Sequence, residues 1–241
     1  MSKAVVILSG GLDSTVLTYY VRNKLHRDVT AISFDYGQRQ SVELSCARTT
    51  CDKLGIQHHV ISLGFLQPLL AKVCSNLKGS TIDVPDVEDI LGHPQPVTYV
   101  PNRNALMLNM SVTIAEAIGA EEVYIGLQCH DLYGYWDTTP EFLSRVNGVF
   151  DLNREHKIKV IAPFIDWNKA KEIQLGTELG VPFEDTWTCY NPQWVNTDTG
   201  AVQVHGMKPK KQVACGKCGA CAERLKNFEL CNIVDPVEYK E

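Results

Sequence analysis

Ser9-Gly10-Gly11-Leu12-Asp13-Ser14-Thr15 packs adjacent glycines, three hydroxyls and a carboxyl into one short stretch, which is suited to cradling phosphate. Gly10 and Gly11 lack Cβ, so phosphate oxygens can approach the main chain, while Ser9, Ser14 and Thr15 add hydroxyl donors. Asp13 would repel polyphosphate unless it holds a Mg²⁺ that the phosphates share. No lysine follows the glycines, which excludes a Walker A loop, and the G-x-G-x-x-G dinucleotide fingerprint is missing too. A second cluster, Cys215-Gly216-Lys217-Cys218-Gly219-Ala220-Cys221, places three thiols on one tight knuckle. A structural zinc requires four ligands in a tetrahedron. Spacing leaves the fourth open among Cys189, Cys231 and His205, and an iron–sulfur cluster is the rival metal group.

These groups need elements to position them. Ala4 to Leu8 is a short, β-branched apolar run that reads as a buried strand, and Val16, Leu17, Tyr20, Val21 and Leu25 then recur at helical spacing. The glycine loop therefore opens a helix, where the first backbone N–H groups lack partners and the positive end of the dipole favours an anion. Further strands are expected at Val29–Phe34, Val60–Leu63, Val123–Leu127 and Lys159–Ala162. Helices are expected at Gln40–Leu54, Arg103–Ile118, Pro140–Leu152 and from Lys169, with Asn168 as N-cap, towards Leu179. The alternation predicts an α/β fold with a doubly wound parallel sheet. Ligands of such sheets bind beyond the carboxyl ends of the strands, which selects the Ser9 loop, Asp35–Arg39, Gln128–Thr138 and Pro163–Lys169. Ser75–Val100 has no clear period and reads as an irregular excursion placed to cover the site. Residues 1–180 are expected to form the nucleotide-binding α/β unit, with 181–241 as a C-terminal zinc-bound segment packed on it.

The chain has 241 residues, a net charge of −5 and 44% hydrophobic content, which suits one such domain with an appendage. The acidic balance argues against stable nucleic-acid binding, which draws affinity from clustered Lys and Arg; a small-molecule substrate is the expected partner. No apolar run approaches the roughly 18 residues of a membrane span, and no basic stretch followed by a long apolar run marks export. A cytoplasmic protein with no membrane partner is therefore expected. There the nine cysteines should be reduced, with clustered ones binding metal rather than pairing. Cys46, Cys51 and Cys74 read as small hydrophobes, and Cys129 sits in a loop at a strand end.

SGGLDST resembles the PP-loop of the ATP pyrophosphatase superfamily, whose members cleave ATP between the α and β phosphates and adenylate an oxygen of their substrate. Taken with FDYGQRQ at Phe34–Gln40, YVPNRN at Tyr99–Asn104, LGVPFEDTWTCY at Leu179–Tyr190 and the CGKCGAC knuckle, it is similar to the 7-cyano-7-deazaguanine synthase family over most of the chain. The resemblance implies an adenine nucleotide α-hydrolase-like fold. It implies a ligase that takes 7-carboxy-7-deazaguanine and ammonia, with ATP, to an amide and then a nitrile in queuosine-type biosynthesis. ATP, Mg²⁺ and Zn²⁺ would be its cofactors and a homodimer its assembly. Leu8, Ser9, Gly10, Gly11, Leu12, Asp13, Ser14, Thr15 and Phe34 would hold the nucleotide, and Asp13, Ser14, Arg103 and Lys169 would serve catalysis. Gln38, Arg39, Asp131, Tyr135 and Asp137 would bind substrate, and Cys189, Cys215, Cys218 and Cys221 would hold zinc.

A guanine-like ring calls for a carboxylate at its N1–H and 2-amino edge and for aromatic faces, which Asp131 or Asp137 with Tyr135 and Trp136 supply. The chain also departs from the family. Its loop after the fourth strand keeps Asp131, Gly134, Tyr135 and Asp137 but carries Thr138 and Thr139 where the family has Cys and Arg, and Asn102 stands where glycine is common. The threonines are compatible with a ligase that stops at 7-amido-7-deazaguanine. A tRNA-thiolating enzyme using Cys129, which the acidic balance disfavours, and a nucleotide sensor without turnover are the remaining readings.

Overall fold

The computed structural model describes residues 1–85, 96–128, 135–196 and 210–240. Five strands build the main sheet: β1 (Lys3–Ile7), β2 (Asp28–Asp35), β3 (Gln57–Ser62), β4 (Glu122–Tyr124) and β5 (Lys159–Ile161). Every pairing is parallel, in the order β3-β2-β1-β4-β5. The chain winds outward from β1 on one side and then resumes on the other, so the winding reverses between β1 and β4. That reversal opens a crevice at the carboxyl ends of these strands.

β1 is central because its sequence allows burial on both faces: every residue after Lys3 is buried. Alternate side chains feed two cores. Val5 and Ile7 join Ile32, Val123 and Val160 under Leu108 and Val112 of α4 (Arg103–Ile118) and Phe142 of α5 (Pro140–Phe150). Ala4 and Val6 face Val16 and Leu17 of α1 (Leu12–Tyr19) and Ile173 of α6 (Lys169–Glu178). The remaining core helices are α2 (Val42–Leu54) and the single turn α3 (Gln67–Leu70), and α1 continues as one wider π turn over Tyr20–Lys24.

Two strand boundaries differ by more than one residue from the sequence reading. β3 starts at Gln57 rather than Val60, pairing from Thr30↔Gln57 to Asp35↔Ser62. It is an edge strand with much of its surface exposed, so its polar Gln-His-His start carries no apolar signal. β4 stops at Tyr124 instead of Leu127 because Ile125–Leu127, although Ile125 and Leu127 are buried, leave the ladder after Ile125 N–H donates to the Ile161 carbonyl at 3.0 Å. Asn168 caps α6 as expected, its side chain accepting from the Lys171 N–H at 2.9 Å.

The C-terminal part adds an antiparallel ribbon of β6 (Gln193–Asn196) and β7 (Lys210–Val213), then α7 (Gly219–Leu230); neither was expected from the sequence. Phe228 of α7 enters the same apolar cluster as Val16 and Ile173. Arg224, 1% exposed, donates to both carboxylate oxygens of Asp235 at 2.8 and 2.9 Å and to Thr186 and the Phe183 carbonyl. No helix among the described residues is long and apolar enough to cross a membrane.

Candidate active site

A cleft of about 210 Å³ occupies the crevice between β1 and β4. The loop after β1 forms one wall, Ile125–Gln128 after β4 its floor, and residues of α2, α4, α6 and α7, of the segment from Phe34 to Gln40 and of the stretches around Tyr135 and Trp187 the rest. Hydroxyls brace the glycine loop from inside. Ser9 Oγ accepts from the Gly11 N–H at 3.1 Å and lies 3.0 Å from Ser14 Oγ, which itself accepts from the Ser9 N–H at 3.2 Å. The first turn of α1 thus begins at the cleft, presenting the N–H groups that a helix start leaves unpaired.

Of the residues assigned to nucleotide, Leu8, Ser9, Gly11, Asp13, Ser14 and Phe34 line the cleft. Leu12 and Thr15 are fully buried behind the loop. Gly10 also stands behind it, which corrects the reason given for that glycine. Its φ is +92°, and a Cβ there would lie 1.9 Å from the Glu43 carbonyl oxygen and 2.7 Å from the Ala47 nitrogen. It is the backbone of α2, rather than a phosphate, that demands glycine. The Trp187 N–H donates to the Gly10 carbonyl at 3.0 Å and secures the turn from the C-terminal side.

Lys169 and Arg103 each open a helix, and each reaches the cleft. The Lys169 ammonium is 2.9 Å from Glu223 Oε2 and 3.5 Å from Asp13 Oδ2, with only 8% of its side chain exposed. Arg103 is 3.4 Å from the Tyr36 hydroxyl. Its helix enters through Asn102 at φ +53°. This left-handed conformation favours glycine and tolerates asparagine best among the others, which accounts for the departure at that position.

Carboxyls in or just behind the cleft escaped the sequence reading. Glu43 of α2 is buried, and burial, with Asp13 adding and Arg103 opposing, pushes it up to about 8. Glu172 of α6 is fully buried; burial and then the Asp13 charge hold it well above the usual carboxylate range, while Gln128 Nε2 donates to its Oε1. Asp13 Oδ1 and Glu172 Oε2 are buried and meet no donor besides the hydrogen bond that the two carboxyls share. The only sequence signal was helical spacing: Glu43 shares a buried face with Ala47 and Thr50, and Glu172 sits one turn after Lys169.

The residues assigned to substrate separate. Tyr135 lines the cleft, stacks on Tyr99 at 6.1 Å and lies 2.7 Å from Thr98 Oγ1 through its hydroxyl. Asp137 lines a small side pocket with Arg103 and Tyr190; burial raises its carboxyl while Arg103 opposes. Gln38 lines the cleft, but its amide donates to the Phe34 carbonyl and accepts from the Tyr36 N–H, each at 3.0 Å. Arg39 does not line it. Its guanidinium donates to the carbonyls of Leu77, Ser80 and Ile82, so it anchors that stretch instead of meeting a ligand. Thr138 Oγ1 donates to the Tyr135 carbonyl, and Thr139 caps α5 by accepting from the Phe142 N–H. Trp136 packs edge-on against Phe142, its indole N–H donating to the Tyr99 hydroxyl. Asp131, Cys129 and His205 lie outside the described residues.

The cysteine knuckle converges. Sulfurs of Cys189, Cys215, Cys218 and Cys221 all lie within 4.8 Å of one another, with Cys218–Cys221 at 3.5 Å and Cys215–Cys221 at 3.9 Å. A tetrahedron with metal–sulfur bonds near 2.3 Å has edges of about 3.8 Å, so the set fits a metal ion. The backbone supports charged sulfur, because N–H groups of Lys217 and Cys218 point at Cys215 Sγ and that of Cys215 at Cys189 Sγ. Hydrogen bonds from Cys189 and Cys221 depress the Cys218 thiol, while those two are raised, Cys189 chiefly by Cys218 and Cys221 chiefly by Cys189. Thiols this close cannot all ionise together unless a cation joins them. Cys231 stands apart, its thiol donating to the Ala170 carbonyl.

Residues 3–232 match the family described as "Queuosine biosynthesis protein QueC". The chain is 36% identical over 245 residues to 7-cyano-7-deazaguanine synthase 1 of Colwellia psychrerythraea, covering 99% of each chain. It is 39% identical over 248 residues to the 7-cyano-7-deazaguanine synthase of Cyanothece sp., covering 99% of this chain and 100% of that one. Among solved structures, the U34-tRNA thiolase NcsA from Methanococcus maripaludis with its 4Fe-4S cluster is similar over 75% of this chain and 57% of that one. Its TM-score is 0.46 and its identity 16%, too distant to carry over any property.

Proposed function

This chain belongs to the queuosine biosynthesis protein QueC family, and we propose that it is the ATP-dependent ligase making 7-cyano-7-deazaguanine from 7-carboxy-7-deazaguanine and ammonia. One observation carries the local chemistry: a lysine-free glycine loop opens α1 at the sheet's switch point, with Asp13, Lys169 and Arg103 converging on the same cleft.

The N–H groups at the start of α1 and the Ser9 and Ser14 hydroxyls hold the β and γ phosphates, so pyrophosphate is the leaving group. The α-phosphorus then faces the cleft, where the substrate's carboxylate oxygen attacks in line. Lys169 and Arg103 stabilise the charge that develops on the α-phosphoryl oxygens. Ammonia displaces AMP from the acyl adenylate to give the amide; a second ATP activates the amide oxygen, and its departure leaves the nitrile. The residues do this by positioning and charge, with no protein nucleophile. Asp13 would hold Mg²⁺, which when bound neutralises the phosphates. Tyr135 offers the deazaguanine an aromatic face, and the Asp137 carboxyl beside it supplies an acceptor.

Zn²⁺ is the metal we assign to the four cysteines. Four thiolates close its coordination, which leaves it a structural role. Homodimeric assembly and a cytoplasmic location complete the reading. The test is an assay with 7-carboxy-7-deazaguanine, ammonium and ATP. AMP and pyrophosphate, two of each per nitrile identified by mass, are expected; ADP and orthophosphate as the sole nucleotide products overturn the reading, and an amide that accumulates without nitrile overturns its end point.

A further inference from the structure

We propose that Glu172 and Asp13 together form a two-carboxylate seat for a divalent cation, with Glu172 Oε2 and Asp13 Oδ1 as its protein ligands. The proposal rests on reading the cleft as a polyphosphate site and deepens it.

Glu172 lies one helical turn after Lys169 and is fully buried. Its two oxygens differ: Oε1 takes the Gln128 amide, whereas Oε2 meets no donor. Asp13 shows the same division. Its Oδ2 faces the Lys169 ammonium at 3.5 Å, while Oδ1 is buried and meets no donor. Glu172 and Asp13 are close enough to share a hydrogen bond, so without an ion a proton bridges the two carboxyls, and no other donor reaches either buried oxygen. A cation between them satisfies both at once.

The charge balance points the same way. Asp13, Glu43, Glu172 and Glu223 stand in or beside the cleft against Lys169 and Arg103, and Lys169 is already paired with Glu223 at 2.9 Å. A polyanion entering a cleft whose lysine is already paired with a carboxylate needs positive charge from outside the protein. Mg²⁺ suits the donors, since it binds one or two carboxylates and completes its shell with water and substrate phosphate. Gln128 fixes the rotation of the Glu172 carboxylate, as supporting partners of ligating carboxylates do. Glu223 is a poorer candidate because Lys169 occupies it, and Glu43 because Arg103 faces it.

The experiment titrates Mn²⁺ alone into the full chain, carrying its cysteine-bound metal, and counts free Mn²⁺ by electron paramagnetic resonance. Wild type should bind one ion, and Glu172→Gln and Asp13→Asn should each weaken it at least tenfold. Glu172→Asp, which keeps the charge but withdraws it by one methylene, should fall between and guards against loss of fold in the amide variant. Circular dichroism and cysteine-bound metal content report the fold. Wild-type affinity in Glu172→Gln with weakened binding in Asp13→Asn overturns Glu172 as a ligand and leaves the cleft's reading standing. No Mn²⁺ bound to wild type, or loss in Glu172→Gln with none in Asp13→Asn, overturns the shared seat; failure of the cleft's own reading appears separately, as absent pyrophosphate release.

Discussion

Helix α7 is a wall shared by two unlike regions: its N-cap Cys218 and first-turn Cys221 belong to the knuckle, while Ala220 and Glu223 line the cleft. In the knuckle every sulfur points at one centre, and backbone N–H groups and the Trp187, Ala214 and Tyr239 side chains enclose it. At the cleft, buried oxygens of Asp13 and Glu172 have only each other's carboxyl for a partner, and burial pushes Glu43 up to about 8. A donor set that closes on one point needs nothing further and acts as a staple. A set left open, with mismatched charge, is complete only with a ligand. The dependence between them should be one-way: breaking the staple should disturb the cleft through α7 and the Trp187–Gly10 hydrogen bond, while breaking the cleft should leave the staple alone.

The largest effect sharpens that contrast. Asp13→Ala should lower kcat/KM by about a thousandfold or more, roughly 4 kcal/mol of transition-state stabilisation, with metal content and Tm unchanged. Steady-state pyrophosphate release and calorimetry check it. Appreciable turnover would remove Asp13 from the chemistry, and a collapsed Tm would show the cleft to be structural as well.

Cys218→Ser attacks the staple. It should release the metal and cost about 3–5 kcal/mol of stability, by the logic that metal-binding energy is also folding energy, and turnover should fall with it because α7 shifts. Elemental analysis beside denaturant unfolding tests this, and a strong chelator should reproduce it in wild type. Wild-type metal content and unfolding midpoint in the serine variant would break the comparison.

Lys169→Met comes next, at about a hundredfold in kcat/KM, or roughly 2.7 kcal/mol. It also strands Glu223, which Lys169 contacts at 2.9 Å, so a modest loss of stability should accompany it. Removing both groups in Lys169→Met/Glu223→Gln should restore the stability but not the rate. A double variant that recovers turnover would move Lys169 from the reaction to the scaffold.

What the sequence made legible was local. The SGGLDST loop and the cysteine knuckle are read from spacing because their chemistry is built by near neighbours, and β1 from an apolar run that only a central strand supports. The carboxyls of Glu43 and Glu172 were invisible for the opposite reason. Acidic residues on amphipathic helices normally face water, and only the packing of α2 and α6 around the glycine loop turns these two inward. Arg39 misled by the same logic reversed: an arginine just past a strand end looks poised for a ligand, yet its planar fork meets three carbonyls of a neighbouring stretch. Gly10 was noticed for one reason and is required for another, since the close approach of α2 leaves no local trace.

The smallest effect tests whether the cleft's frustration is electrostatic. Glu43 keeps its proton up to about pH 8 in the folded chain, against an ordinary value of 4.5. Below roughly pH 4 both states carry the proton and the group contributes nothing. Between these values the unfolded chain has released a proton that the folded chain retains, so stability falls as pH rises, and above about 8 the loss is complete. Direct conversion at about 1.36 kcal/mol per pKa unit gives an upper bound. Relaxation and water entry in a cleft that opens to solvent should reduce the observed loss to about 1–2 kcal/mol. Glu43→Gln removes the titration while keeping the shape, so its unfolding free energy should decline less than that of wild type between pH 5 and 8.5, the two curves converging at the acid end. Parallel curves over that range would mean that Glu43 is ionised in the folded chain, and that the cleft balances its charge before any ligand arrives.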